Sequence, residues 1–194
     1  MGFDKMITAR VDGCELEYGI VFGNEKIVFV KCGVDGSIRG ESEEYLQMAH
    51  RLHGRLGATV ICASNPYECE TGSADKAAIS WVVKKLKLSD YKVYLFGVGD
   101  GSYQNLKLAG QIPQTVKILG ANTSSNTVDR LKERLCGLSH IDKIFVYGTK
   151  DTEYKRIPSL RRANIDRLEI RTIEGATHKF SGMLDQYVAL TDLL

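Results

Sequence analysis

Proline, tryptophan and long apolar runs are scarce in this sequence. With 3 prolines and 1 tryptophan among 194 residues, it contains no proline-rich linker and no low-complexity segment. No apolar run approaches the ~20 residues that a membrane-spanning helix needs. The N-terminal stretch MGFDKMITARVDG has no apolar signal core. We therefore expect a protein that neither crosses a membrane nor is exported.

Neither sign of charge is in excess. The chain has 26 Lys and Arg residues against 24 Asp and Glu residues, which gives a formal net charge of +2. Nucleic-acid-binding domains usually carry a strong basic excess on one face, so this balance argues against a nucleic-acid partner. A nearly neutral chain fits a pocket for a small-molecule ligand or substrate.

Metal-binding and disulfide patterns are absent as well. The cysteines are odd in number and include no CxxC pair, which favours reduced thiols in a cytoplasmic protein. His50 and His53 have a spacing compatible with metal ligation on a helix, but no cysteine or acidic pattern accompanies them. We therefore expect no metal site and no cofactor. The cysteines are Cys14, Cys32, Cys62, Cys69 and Cys136.

The apolar residues follow the periods of an α/β protein. Short runs rich in β-branched and aromatic residues, several without a polar face, are typical of parallel strands covered on both sides. These runs lie at residues 26–31, 58–62, 92–96, 115–119, 143–147 and 167–173. Helical spacing between them predicts helices at 41–56, 73–86, 103–109, 126–135 and 181–194, with Ser73 as an N-cap.

The N-terminal segment differs from this alternation. Asp12-Gly13 lies between the apolar stretches 7–10 and 15–21 and is a two-residue hairpin signal. An antiparallel hairpin followed by strand–helix alternation predicts a three-layer α/β/α sandwich with a mostly parallel sheet. The length fits a single domain over residues 1–194. Ligands of such sheets bind beyond the carboxyl ends of the strands.

The loop after the strand at 92–96 is rich in glycine and reads GVGDGS. It fails as a dinucleotide fingerprint, because GxGxxG requires glycine where Ser102 stands and no carboxylate ends the next strand. It fits the Gly-x-nucleophile-x-Gly turn, in which small residues flank a central residue with a strained backbone. Gly97 and Gly101 fill the small positions, and Gly99 is the central residue.

On these residues the sequence resembles the α/β-hydrolase family. Six segments follow one another in the family's order. They are the hairpin VDGCELEYGIVFG, the strand KIVFVK, the loop CGVDGSIRG, the segment KVYLFGVGDGS, and then IFVYGTKD and EGATHKF. The resemblance covers most of the chain and leaves no room for a large lid domain. It implies an α/β-hydrolase fold and, as an ancestral activity, hydrolysis of an ester, thioester or amide.

The resemblance also implies roles for individual residues. Asp151 in GTKD stands where the family often carries its triad acid, and His178 in GATH stands at the position of the catalytic histidine. The N–H groups of Val34 and Asp100 correspond to the oxyanion hole. Gly99 occupies the nucleophile position and supplies no attacking atom. Taken without the resemblance, Asp151 also suits a turn and His178 an exposed loop.

A glycine at the nucleophile position leaves several hypotheses about function. The first is a pseudoenzyme, a non-catalytic or weakly active homologue that binds a small molecule. The second is an active hydrolase that uses Ser102 or Asp100 as a displaced nucleophile, or water activated by His178. Ser102 equally suits the first turn of a helix, and Asp100 requires a one-residue shift of the turn. The third is a protein-interaction module with an open pocket mouth.

Other residues have simpler interpretations. Cys32 ends a predicted strand and is expected to fill the core, as buried cysteines commonly do. The loops at 65–73 and 122–126 are expected to shape a pocket, with polar groups from Asn65, Tyr67 and Asn122.

Overall fold

The computed structural model describes residues 2–194, and its strands all belong to one sheet. The strands are β1 (Lys5–Val11), β2 (Cys14–Val21), β3 (Asn24–Lys31), β4 (Ala58–Ala63), β5 (Lys92–Val98), β6 (Thr115–Ala121), β7 (Asp142–Gly148) and β8 (Leu168–Ile173). The α-helices are α1 (Glu44–Leu56), α2 (Gly72–Leu86), α3 (Asp100–Ala109), α4 (Val128–Cys136), α5 (Ile157–Arg162) and α6 (Leu184–Ala189). Short 3₁₀ helices span Thr152–Arg156 and Leu190–Leu193.

The eight strands follow the order β1-β2-β4-β3-β5-β6-β7-β8. β1 and β2 form the antiparallel hairpin that Asp12-Gly13 predicts, β2 also runs antiparallel to β4, and the other neighbours are parallel. The predicted sheet is therefore confirmed. Because the chain passes from β4 to β5 across β3, the carboxyl ends of β3 and β5 border the crevice in which such sheets bind ligands.

Helices cover both faces of the sheet and enclose a core on each side. Side chains alternate along each strand, so that Ile27 and Phe29 of β3 face one core while Val28 and Val30 face the other. Helices α2 to α5 pack on the first core, and α1 and α6 pack on the second. The three-layer α/β/α sandwich predicted from the sequence is therefore correct.

The structure differs from the sequence prediction mainly at the helices. α2 begins at Gly72 with Thr71 as its N-cap, so Ser73 lies inside the first turn and does not cap it. α5 is not predicted, because it has only 6 residues, one of them a proline in its first turn, and shows no helical period. The C-terminal prediction corresponds to α6 and a 3₁₀ turn. Among residues 2–194, no helix is both long and apolar enough to span a bilayer.

Candidate active site

A single residue, Gly99, joins β5 to α3. Val98 ends the strand, Asp100 begins the helix, and the backbone of Gly99 has φ 53° and ψ −123°. Residues with a side chain rarely adopt positive φ, and this combination also lies outside the left-handed helical region. The chain therefore turns sharply at the carboxyl end of a central strand, as a strand-to-helix turn that presents its middle residue requires.

The glycines on either side of Gly99 permit this turn. A Cβ at Gly97 would lie 2.4 Å from the Cα of Ser102, and a Cβ at Gly101 would lie 2.1 Å from the carbonyl oxygen of Cys32. Both contacts involve backbone atoms in a close-packed interior, which cannot move aside as a flexible side chain does. The spacing of the glycines in GVGDG thus has a steric cause.

His178 and Asp151 form a hydrogen-bonded pair across 27 residues of sequence. Nδ1 of His178 lies 2.8 Å from Oδ2 of Asp151. The Asp151 side chain is fully buried, while that of His178 is 50% exposed. A carboxylate can only accept here, so Nδ1 is the donor, and in the uncharged tautomer that this bond selects Nε2 is an acceptor. Asp151 also begins a turn, since its Oδ1 accepts from the N–H of Glu153 at 2.8 Å.

Asn122 holds the loop of His178 against the ends of β6 and β7. It is fully buried, and its Nδ2 donates to the carbonyl oxygens of Thr177 and His178 at 3.1 and 3.0 Å. Its Oδ1 accepts from the N–H of Gly148 at 2.8 Å. One amide therefore joins the strand end that precedes Asp151 to the backbone of His178, which keeps the pair in register.

The imidazole of His178 faces Gly99. A Cβ on residue 99 would lie 3.1 Å from Nε2 and 3.5 Å from Cε1 of the ring. The next nearest atom is Oγ of Ser124, at 3.8 Å. The structure thus brings together Gly99, Asp151 and His178, which the sequence analysis singles out, and places Ser124 beside them.

Two backbone N–H groups lie next to this turn. The N–H groups of Val34 and Asp100 donate to no acceptor within residues 2–194, although the N–H of Asp35 donates to the carbonyl of Asn65 at 2.8 Å. A pair of free N–H groups beside a reacting centre is the arrangement that stabilises a developing oxyanion. Both residues border the same cavity.

That cavity has a volume of about 690 Å³ and adjoins the turn. Its wall includes Val34, Asn65, Tyr67 and Asp100, together with charged side chains of both signs. Gly99, Ser124 and His178 do not line it, although Asp100 and Ser125, the sequence neighbours of Gly99 and Ser124, do.

Ser102 and Asp100 are not placed to act as nucleophiles. Ser102 is fully buried, and its hydroxyl is hydrogen-bonded to Oγ1 of Thr123 at 2.7 Å, so no substrate reaches it. The Asp100 carboxylate accepts from the side-chain amides of Asn65 and Gln104 at 3.3 and 3.2 Å. The turn is centred on Gly99, so the one-residue shift that would make Asp100 its central residue does not occur. The positions of Ser102 and Asp100 therefore argue against both residues as displaced nucleophiles.

Cys32 lies in the core and is chemically quiet. Its side chain is buried, with Sγ 2.9 Å from the carbonyl oxygen of Gly36 and 3.0 Å from that of Ala63. Burial raises the pKa of the Cys32 thiol to about 12, which keeps the nucleophilic thiolate scarce at neutral pH. The interpretation of Cys32 as a core residue therefore agrees with the structure.

His50 and His53 make separate hydrogen bonds to backbone. Nε2 of His50 lies 3.1 Å from the carbonyl oxygen of Gly2, and Nδ1 of His53 lies 3.2 Å from that of Ala58. Within the described residues, no group of 3 or more His, Cys, Asp or Glu side chains could hold a metal ion.

The roles of Asn122 and Ser124 at the site are visible only in the structure. From the sequence, Asn122 is expected to contribute a polar group to the pocket; it is instead fully buried, does not line the cavity and bonds the histidine loop. Ser124 has no predicted role of its own. The sequence signal for both residues is their position in the chain. The loop at 122–126 follows β6, and β6 pairs with β5 directly beside the turn at Gly99. Polar residues in such a loop come close to the end of the neighbouring strand.

Among the comparisons with known proteins, only the one with solved structures finds matches. No protein-family model matches the chain, and no curated protein sequence matches it. A dienelactone hydrolase from Anabaena variabilis has a TM-score of 0.72 at 16% identity, covering 97% of this chain and 94% of that one. A lidless α/β serine hydrolase from Xanthomonas campestris has a TM-score of 0.67 at 15% identity, covering 97% and 92%. An esterase domain from Rhodothermus marinus has a TM-score of 0.68 at 12% identity, covering 97% of this chain and 95% of that one. The chain therefore has an α/β-hydrolase fold, as its resemblance to that family predicts.

Proposed function

We propose that the protein binds small acyl compounds, namely esters, thioesters or amides, and forms no covalent intermediate at residue 99. The observation that carries this proposal is the hydrogen-bonded Asp151–His178 pair, whose free ring nitrogen faces a glycine. The pair occupies the positions of the acid and histidine in the family that the sequence resembles. On this proposal, the protein keeps the binding groups of a hydrolase around a residue without an attacking atom.

Covalent acyl transfer requires an oxygen or sulfur atom that attacks the acyl carbon. Gly99 has neither. When a triad loses its nucleophile, binding and oxyanion stabilisation still leave a residual rate effect of roughly 10³–10⁴ over water. We therefore expect the site to hold its ligand and to turn it over weakly.

The groups around Gly99 suit a carbonyl ligand. The free N–H groups of Val34 and Asp100 are hydrogen-bond donors for a carbonyl oxygen. Nε2 of His178 accepts a hydrogen bond from an amide N–H or from a water molecule. The adjoining cavity of about 690 Å³ lies within the range of small-molecule sites, roughly 300–1,000 Å³. The hydrolases with a similar fold are named for reactions at acyl carbons, which supports the same ligand class.

Binding of 4-nitroacetanilide, the amide counterpart of p-nitrophenyl acetate, tests this proposal. We expect saturable shifts in the protein NMR spectrum, including the His178 ring, and weaker binding in Val34→Asp, which places a charge at the cavity wall. Met6→Asp is the matched control, because Met6 is 51% exposed and Val34 48%. Unchanged spectra with this amide and with short-chain p-nitrophenyl esters would overturn the proposal.

We also propose a cytoplasmic location. All 5 cysteines are free thiols, as expected for a protein in a reducing compartment. Fractionation of the native cells, with an antibody against the chain, tests this location.

A further inference from the structure

The space over Gly99 is shared by two side chains. Nε2 of His178 lies 3.1 Å and Oγ of Ser124 lies 3.8 Å from the point where Cβ of residue 99 would stand. A hydroxyl and the acceptor nitrogen of an acid-supported histidine therefore converge on one point. These are the two components of an activated oxygen nucleophile.

The backbone of Ser124 is fixed to the turn that it faces. Its N–H donates to the carbonyl oxygen of Gly99 at 3.1 Å. The residue before it, Thr123, is fully buried and bonded to Ser102, and Asn122 is bonded to the His178 loop. The hydroxyl of Ser124 is thus carried by a loop that is tied both to the turn and to the histidine.

Ser124 differs from the other serines near the turn in having an unengaged hydroxyl. Its side chain is half-buried, and Oγ makes no hydrogen bond within residues 2–194. By contrast, Ser102 is bonded to Thr123, while the hydroxyl of Ser125 donates to the carbonyl of Thr127 and accepts from Arg156. Of these three serines, Ser124 alone is free to approach a bound acyl group.

We propose that Ser124 acts as a nucleophile displaced from residue 99, which adds slow acyl transfer to the acyl binding proposed above. The inference rests on that proposed function, because the acyl compound must first be bound. It assigns a catalytic residue to the loop after β6, where the family resemblance places none. The expected substrates are activated esters and thioesters, whose leaving groups need little protonation.

The reaction balances with the groups present. Oγ of Ser124 attacks the acyl carbon while Nε2 of His178 takes the hydroxyl proton, and the carbonyl oxygen becomes an oxyanion. Collapse of this intermediate breaks the bond to the alcohol or thiol, which leaves with the proton from His178. Water then attacks the acyl-serine ester with His178 as base, and the carboxylic acid and the serine hydroxyl are released. Asp151 keeps Nδ1 protonated and the ring oriented throughout.

The distances also explain why this activity should be slow. Nε2 and Oγ are not hydrogen-bonded to each other in the free protein, and catalytic hydrogen bonds often tighten only when substrate is bound. For proton transfer, Oγ of Ser124 must therefore come closer to Nε2, whereas a hydroxyl on residue 99 would start from a Cβ only 3.1 Å from Nε2. Imperfect alignment of a nucleophile lowers the benefit of proximity.

Acylation can be tested directly with p-nitrophenyl acetate and diisopropyl fluorophosphate. Intact-mass and peptide mass spectrometry should find an added acetyl or diisopropylphosphoryl group on residue 124. The adduct should vanish in Ser124→Ala, and its rate of formation should fall about 100-fold in His178→Ala, the usual scale of general-base assistance. Ser181→Ala, the same change at an exposed serine beyond His178, is the matched control and should label as the unmodified chain does.

The outcomes separate this inference from the proposed function. An adduct on Ser102, on another residue, or equally fast in His178→Ala would overturn the assignment of Ser124. Binding of 4-nitroacetanilide without any adduct would also overturn it and leave the acyl-binding function standing. Absence of both binding and adduct would refute the two proposals together. Circular dichroism of each variant identifies any loss of labelling that is caused by unfolding.

Discussion

The side-chain amide of Asn122 donates a 3.0 Å hydrogen bond to the backbone carbonyl of His178, although 56 residues separate them. The same amide group bonds the backbone of Gly148, three residues before Asp151. The buried side chain of Asn122 thus fixes the backbone on which Asp151 and His178 stand. The contribution of Asn122 to the free energy of unfolding can be measured separately from any chemistry at Gly99.

Asn122→Ala should destabilise the protein strongly. The change removes the partner of the buried N–H of Gly148 and of the His178 carbonyl, whereas the Thr177 carbonyl still accepts from the N–H of Phe180; unsatisfied buried groups cost about 1–3 kcal/mol each. Asn122 also has φ 47°, which alanine tolerates less well. Urea denaturation should show the loss, while Asn126→Ala, at an exposed position, should change the free energy of unfolding little. Equal stability of the two variants would contradict the role assigned to Asn122.

Gly99→Ser should create esterase activity that depends on His178. The new Cβ lies 3.1 Å from Nε2, so the hydroxyl starts within reach of the base. We expect hydrolysis of p-nitrophenyl acetate to rise by about 100-fold or more, the scale of general-base assistance. The variant should lose about 1–3 kcal/mol of stability, because serine must adopt φ near 53°.

Gly99→Ala is the matched control for that gain. It adds the same Cβ and the same backbone strain but no hydroxyl, so it should be destabilised to a similar extent without gaining activity. Adding His178→Ala to Gly99→Ser should abolish the gain. A serine variant that stays folded and no more active than the alanine variant would show that the pair is not arranged for catalysis.

Two glycine substitutions should have opposite effects on stability. Gly101→Ala forces a Cβ to within 2.1 Å of the Cys32 carbonyl oxygen, so we expect a loss of about 3 kcal/mol or more in the free energy of unfolding. Gly54→Ala lies inside α1, where a Cβ would meet nothing within 4 Å, and should gain about 0.5–1 kcal/mol. Thermal or urea unfolding measures both, and a neutral Gly101→Ala would contradict the close packing of the turn.

Lys31→Met should lower the free energy of unfolding, because it leaves a buried charge without its partner. Nζ of Lys31 lies 3.0 Å from Oδ2 of Asp75, and both side chains are buried. Removal of the lysine leaves Asp75 without its counter-ion, which costs about 3–5 kcal/mol for buried pairs. The hydroxyls of Tyr18 and Thr71 also donate to Asp75, at 3.0 and 2.7 Å, so the double change Lys31→Met with Asp75→Asn removes both charges and keeps an acceptor for them. It should recover much of this loss in urea denaturation. A double variant less stable than the single one would mean that the pair stabilises the fold beyond mutual charge compensation.

The cysteines should react with iodoacetamide at very different rates. Cys136 is exposed, whereas Cys32 and Cys62 are buried; burial raises the pKa of the Cys32 thiol to about 12 and also raises the pKa of the Cys62 thiol. At mildly alkaline pH we expect Cys136 to be alkylated first and the buried thiols to stay protonated and protected. Peptide mass spectrometry over time measures the order, and concentrated guanidinium chloride should equalise the rates. Fast labelling of Cys32 in the folded protein would contradict its core position.

Much of the fold is predictable because its signals are local. The hairpin at Asp12-Gly13 and the apolar runs that became β3 to β8 depend on turn chemistry and on side-chain periodicity within a few residues. The helix α5 escapes prediction because a short helix with a proline in its first turn has no period to detect. The start of α3 at Asp100 depends on a one-residue turn, which no local pattern of apolar residues marks.

The amino-acid sequence is enough to predict the strand–helix order, the glycine spacing of the turn and the lack of an attacking atom at Gly99. Each of these is a property of neighbouring residues, so it can be inferred without knowing which strands pair. The folded structure is needed to show that Ser102 is buried and that Ser124 shares the space over Gly99 with His178. Those contacts join loops far apart in the chain, and they exist because β6 lies beside β5 and close packing fixes how their loops meet.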